Sequence, residues 1–127
     1  MIKIRIFTDF HRENEFTDNI YNLYTKYDDE HNNKYCFTND DDYTHVILIN
    51  CPMPNISHIP KENVIGLAFE PYHFLQNIKL YHHYAQKFIS KYYIGDKYDL
   101  QEPFVEGYGY IPPWFDFHIE KKTKVLG

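Results

Sequence analysis

Among the side chains of this sequence, Glu70 is the one whose neighbours best equip it for chemistry. It follows the apolar run Val64-Ile65-Gly66-Leu67-Ala68-Phe69 and directly precedes Pro71. Proline biases the residue before it towards extended geometry and cannot continue a strand, so this carboxylate is expected to project from the rigid end of a β-strand. A carboxylate held there can take a proton from a hydroxyl group, provided that it lies within hydrogen-bond reach and has a pKa suited to the task. The plainer alternatives are a helix-capping acid or an exposed charge. Tyr72 and His73 come next and could line a crevice beside Glu70, although packing at a helix start accounts for them equally simply. Thr8, Asp9 and Asn50 close two other apolar runs and are the corresponding polar groups at neighbouring strand ends.

Other chemistries lack their residues. No G-x-G-x-x-G follows the first apolar run and no G-x-x-x-x-G-K-[ST] occurs, which removes the glycine-rich cradles for dinucleotides and P-loop phosphates. A phospho-receiver domain needs a carboxylate at the end of its central strand, where Asn50 stands instead. His82 and His83 are adjacent, and neighbours on a helix point about 100° apart, so they make a poor metal pair. Asp40, Asp41 and Asp42 have neither the alternating ligands nor the central glycine of a calcium loop and read as a solvated turn. Cys36 and Cys51 lie in unrelated contexts, without a C-x-x-C, and a reducing compartment such as the cytoplasm is the expectation. No metal and no cofactor is expected in this domain.

The elements that must position Glu70 emerge from the spacing of apolar residues. Ile2-Lys3-Ile4-Arg5-Ile6-Phe7 is a β-branched run stopped by Thr8 and Asp9, and predicts a first strand. Phe16, Ile20, Leu23, Tyr24 and Tyr27 recur at helical spacing, with Asn14 as a cap. Tyr35-Cys36-Phe37 is short enough for an edge strand. His45-Val46-Ile47-Leu48-Ile49, ended by Asn50 and Pro52, predicts a strand buried on both faces. Val64 to Phe69 repeats that pattern. Phe74, Ile78, Tyr81, Ala85 and Phe88 mark one face of a second helix, widened by Leu75 and Ile89, and Tyr92-Tyr93-Ile94 predicts a last short strand. The stretch from Glu102 through Pro113 has no sustained period and reads as loop. Strands alternating with helices imply a mainly parallel sheet in a three-layer α/β domain. Ligands in such sheets sit beyond the carboxyl ends of the strands, which is where Thr8, Asp9, Asn50 and Glu70 fall.

Totals narrow the partners. The chain has 127 residues, enough for one domain, and a net charge of -5 without a basic stripe, which argues against nucleic acid. The same acidity makes it a poor diphosphate site by itself. No window reaches the length of a membrane span, and Met1 to Phe10 lacks the apolar core of a signal peptide. Aromatic residues reach 19%, which a sugar- or base-stacking surface would explain; the accompanying wealth of Asn, Ile and Lys attributes it to an AT-rich coding sequence instead.

The segment VIGLAFEPY, Val64 to Tyr72, resembles the Phe-Glu-Ser-Pro type motif in the acceptor domain of α-1,3-fucosyltransferases, glycosyltransferase family 10. Around it, NDDDYTHVILIN, PMPN, IPKENVIGLAFEP, YAQKFISKYYIGD and PFVEGYGY look closer still to members of this family in giant DNA viruses, and the likeness runs from about Asp40 to Tyr110. The resemblance implies a Rossmann-like (flavodoxin-like) acceptor domain, residues 1–110, as one half of a two-domain GT-B layout. Residues 111–127 would then be a linker or the start of a donor domain that this chain lacks. It further implies Glu70 as catalytic base, with Tyr72, His73, Thr8, Asp9 and Asn50 towards a glycan acceptor. GDP-fucose or a similar sugar nucleotide would be held by a donor-binding domain in cis or in trans. A viral chain of this kind would work in the host cytoplasm, inactive alone, and a non-catalytic glycan- or protein-binding remnant is the alternative. The sequence departs from the animal motif in having Pro71 directly after Glu70, and Ile111 to Phe117 departs from the pattern expected before the interdomain linker.

Overall fold

A computed structural model of the chain describes residues 2–9, 35–75 and 77–107. The strands are β1 (Ile2–Thr8), β2 (Tyr35–Phe37), β3 (His45–Ile49), β4 (Val64–Leu67), β5 (Lys91–Ile94) and β6 (Phe104–Glu106), and the α-helix α1 is His82–Phe88. They form one six-stranded sheet in the order β2-β1-β3-β4-β5-β6. Every pairing is parallel, with Arg5 beside Val46, Ile47 beside Ile65, Leu67 beside Tyr93 and Tyr93 beside Val105. This bears out the expected parallel α/β sheet, with Tyr35–Phe37 at its edge. The helix expected from Asn14 and the segment 111–127 lie outside the described residues.

Alternation along the strands separates two apolar layers. Val46, Leu48, Val64, Ala68, Tyr92, Ile94 and Phe104 pack with Leu75, Ile78, Tyr81, Ala85 and Ile89, from α1 and the segments flanking it, and with Ile56 from the β3–β4 connection. Burying each such aliphatic side chain stabilises by about 1.5–3 kcal/mol before entropy is charged. On the opposite face Ile6 and Ile49 are buried, with Phe37, Ile47, Leu67 and Phe69 packed around them.

Two expectations need correction. The stretch after Glu102 contains a sixth strand, so Tyr92–Ile94 is not the last. β6 is only three residues between Pro103 and Gly107, too short for a period to show, and it is recruited by pairing with β5 and by the buried Phe104 ring. The second helix is also shorter than its apolar stripe. Pro71 starts a 3-10 turn, Tyr72–Phe74, which Leu75 ends at φ -94°, ψ 79°, and continuous α-helix begins only at His82. Leu75, Ile78, Tyr81, Ala85 and Ile89 are nevertheless buried as their spacing predicts, whereas Phe74 is 70% exposed.

Gly66 is a packing requirement. A Cβ there would lie 2.1 Å from Cδ2 of Tyr92, so only glycine lets that ring lie across β4. The ring needs this path to reach the end of β3.

Candidate functional site

The strand order reverses direction at β1 and β3: one neighbour of β1 is β2, and everything from β3 onward lies on its other side. At such a switch point the carboxyl ends of the two strands flank the crevice where open α/β sheets bind ligands. Thr8, Asp9, Asn50 and Cys51 stand there. Thr8 and Asn50 are buried and Asp9 is exposed. The Cys51 N–H donates to Oδ2 of Asp9 at 3.3 Å, which latches the two strand ends together.

Asn50 is the structural pivot of this edge. Its φ is 66°, a left-handed conformation that asparagine tolerates better than most residues. Its N–H donates to the Leu67 carbonyl at 3.0 Å, and its Oδ1 accepts the Phe69 N–H at 3.1 Å. Its carbonyl accepts the Tyr92 hydroxyl at 2.6 Å. These bonds fix the backbone immediately before Glu70.

Two further tyrosines extend the same scheme. Tyr81 donates to the Pro52 carbonyl at 2.5 Å and Tyr84 to the Pro54 carbonyl at 2.6 Å, so three hydroxyls hold the carbonyls of residues 50, 52 and 54. Burial pushes the Tyr81 and Tyr84 hydroxyls well above the usual phenol range and keeps them protonated as donors.

Glu70 is exposed beyond the end of β4, in the bend that leads into Pro71 and the 3-10 turn it starts. Burial, together with the charges of Asp9 and Glu70, pushes the Cys51 thiol up to about 12, so both carboxylates lie near enough to act on it. Beside Glu70, Tyr72, His73 and Tyr98 form an aromatic group. The Tyr72 and Tyr98 ring centres are 4.8 Å apart, those of His73 and Tyr98 are 5.4 Å apart, and Nε2 of His73 lies 3.1 Å from the Tyr98 hydroxyl. Lys79 pairs with Asp99 at 3.2 Å, and this contact holds the ammonium above, and the carboxyl below, its ordinary value.

The structure therefore gathers Asp9, Asn50 and Thr8 at the switch point and sets Glu70, Tyr72 and His73 on the adjoining strand end. Sequence reasoning missed Cys51, Tyr98, Lys79 and Asp99. The last three reach the site from the turn before α1 and from the irregular β5–β6 connection, where no periodicity marks them. The larger of two described cavities, ≈ 470 Å³, lies at the opposite, amino edge of the sheet among Lys61, Lys91, Glu102 and Pro103. It contains none of the expected site residues, and the strand-end rule favours the carboxyl edge over it. A smaller cleft of ≈ 220 Å³ adjoins the aromatic group and is lined by Lys79, His82, Asp99, Leu100 and Gln101. Among the described residues no three His, Cys, Asp or Glu side chains gather into a metal-holding group, and no helix is long and apolar enough to cross a membrane.

A six-stranded, all-parallel sheet with a switch point between its first and third strands is compatible with a Rossmann-like α/β fold. Set against protein-family models, curated proteins and solved structures, the chain finds no match in any of the three.

Proposed function

We propose that the chain is the acceptor-side domain of a fucosyltransferase-like glycosyltransferase of two-domain GT-B layout, with Glu70 as general base. The observation that carries this reading is an exposed carboxylate at the end of β4, beside the exposed His73 and Tyr98 and the half-buried Tyr72. Aromatic rings offer flat apolar faces to the C–H faces of a sugar while their polar tips meet its hydroxyls. In the proposed inverting transfer, Glu70 takes the proton of an acceptor hydroxyl and the oxygen bonds to the anomeric carbon of the donor. The bond from that carbon to the diphosphate breaks, and the nucleoside diphosphate leaves from the opposite face.

Charge on the departing diphosphate must be offset by cations. Near the described carboxyl edge Lys79 is engaged by Asp99 and Lys97 donates to the Leu100 carbonyl, so a donor-binding domain in cis or in trans would supply this role for GDP-fucose or a similar sugar nucleotide. The same observation favours a second reading for the chain alone, a module that binds glycan without turnover. Transfer from GDP-fucose to a glycan acceptor, assayed with the chain alone and with a GDP-fucose-binding donor domain added in trans, tests the choice. Glu70→Gln is expected to lower transfer by roughly 10²–10⁴-fold with the circular dichroism spectrum unchanged. Transfer at the wild-type rate in that variant would remove the base; glycan binding without transfer in any combination would establish the binding module.

A further inference from the structure

We propose that the cavity at the amino edge of the sheet, opposite the edge that carries Glu70, binds an acidic amino acid, a small molecule with two anionic groups and one amine. The inference goes beyond the glycan reading and uses none of the residues which that reading invokes.

The cavity is built from three strand starts. Lys61 opens the turn Lys61–Asn63 that leads into β4, Lys91 is the first residue of β5, and Glu102 and Pro103 come directly before β6. The three strands are parallel and adjacent, so these residues fall along one edge, where with Ser90 and Val105 they line ≈ 470 Å³. That volume lies within the range of about 300–1,000 Å³ usual for small-molecule sites. The walls are fixed before any ligand arrives. The Ser90 N–H and hydroxyl both donate to the Val64 carbonyl, at 3.0 and 2.7 Å, and the Tyr92 N–H donates to the Pro103 carbonyl at 2.9 Å. Nζ of Lys61 donates to the Gln86 carbonyl in α1 at 2.6 Å. A cation anchored in this way has its direction set in advance, which removes part of the ordering cost of binding.

Charge selects the ligand. The chain as a whole carries -5, yet this cavity sets two lysines against one carboxylate. An ammonium has three donors, so Lys61 keeps two after serving Gln86. Lys91 and Glu102 are both exposed and line the same cavity, and among the described residues neither side chain has an ion pair, with the other or elsewhere. A neutral sugar would leave the two ammonium groups without counter-charge, and a simple anion would face Glu102 as like charge. Two anionic groups and one amine answer Lys61, Lys91 and Glu102 group for group. Lysine serves carboxylate and phosphate alike as a point charge, so the second acid can be either.

Amide-resolved NMR titration of the whole chain at constant ionic strength tests the site. The probes are L-aspartate, L-glutamate and O-phospho-L-serine, set against glutarate, which lacks the amine, and cadaverine, which lacks the acids. At least one of the three amino acids is expected to shift the resonances of Lys61, Ser90, Lys91 and Glu102 saturably, and to bind about tenfold more tightly than either comparison compound. Tighter binding of phosphoserine or of the dicarboxylates supports the site equally and identifies the second acid. Lys91→Gln should weaken binding by about tenfold, and Glu102→Gln should abolish the preference over glutarate without weakening glutarate itself. Both positions are exposed, so these replacements spare the core. Absence of saturable shifts with all three amino acids overturns the proposal, as does glutarate binding as tightly as glutamate, or undiminished binding in Lys91→Gln. Glu70→Gln, at the other edge, should leave the titration unchanged whatever it does to transfer.

Discussion

Burial pushes the Cys51 thiol up to about 12, and the charges of Asp9 and Glu70 push it in the same direction. Because the thiolate is the reactive form, alkylation of Cys51 reports on those carboxylates without any substrate. Glu70→Gln and Asp9→Asn each remove a negative charge, which lowers the thiol's pKa and enlarges the thiolate fraction in mildly alkaline buffer. Iodoacetamide labelling of Cys51, followed by peptide mass spectrometry with Cys36 as internal reference, is therefore expected to run several-fold faster in both variants. An unchanged rate in Glu70→Gln would separate that carboxylate from the crevice and weaken its assignment as base. At this scale the sequence was informative wherever punctuation is local: Pro71 starts the turn that follows Glu70, and Asn50 stops an apolar run. Tyr98 was hidden because its importance comes from a positive φ and from contacts with Tyr72 and His73, more than twenty positions away.

The connection from β3 to β4 is held as a unit by Tyr81, Tyr84 and Tyr92. Tyr81 and Tyr84 have folded-state pKa values raised by burial, so the folded chain holds their protons at pH values where the unfolded chain has released them. The sign follows from linkage: their stabilisation is complete below the unfolded tyrosine value of about 10 and is lost as pH rises above it towards the folded values. Melting temperature should accordingly fall steeply above about pH 10, and Tyr81→Phe should lower stability at neutral pH by about 1 kcal/mol while flattening the alkaline limb. Thermal melts of both proteins across that range measure the difference; parallel limbs would show that the hydroxyl contributes nothing. The strands themselves were legible as β-branched runs, and the stripe through Ile78, Tyr81, Ala85 and Ile89 gave the buried face of the segment. Its helical length was not, because Pro71 and the Leu75 geometry interrupt the backbone while the apolar spacing continues. Nor could the tyrosine bonds be read, since each joins a side chain to a main-chain carbonyl about thirty or forty residues earlier.

Across the molecule, one reversal in strand order decides where the polar residues collect. Alternating β and α signals predicted parallel pairing, but no local pattern says that β1 sits between β2 and β3; that order is a consequence of which apolar faces pack together. The order also decides what forms the sheet's two borders. Both β2 and β6 are three residues long, the shortest strands in the sheet. A border this brief offers another chain only a few main-chain donors and acceptors to copy, and Pro103, which has no N–H to give, sits directly before β6. The native protein should therefore stay clear and thioflavin-negative through prolonged agitation below its melting point, even at high concentration. Lengthening either border with a few valines, rather than altering the interior, is the change expected to turn it into a template for fibres.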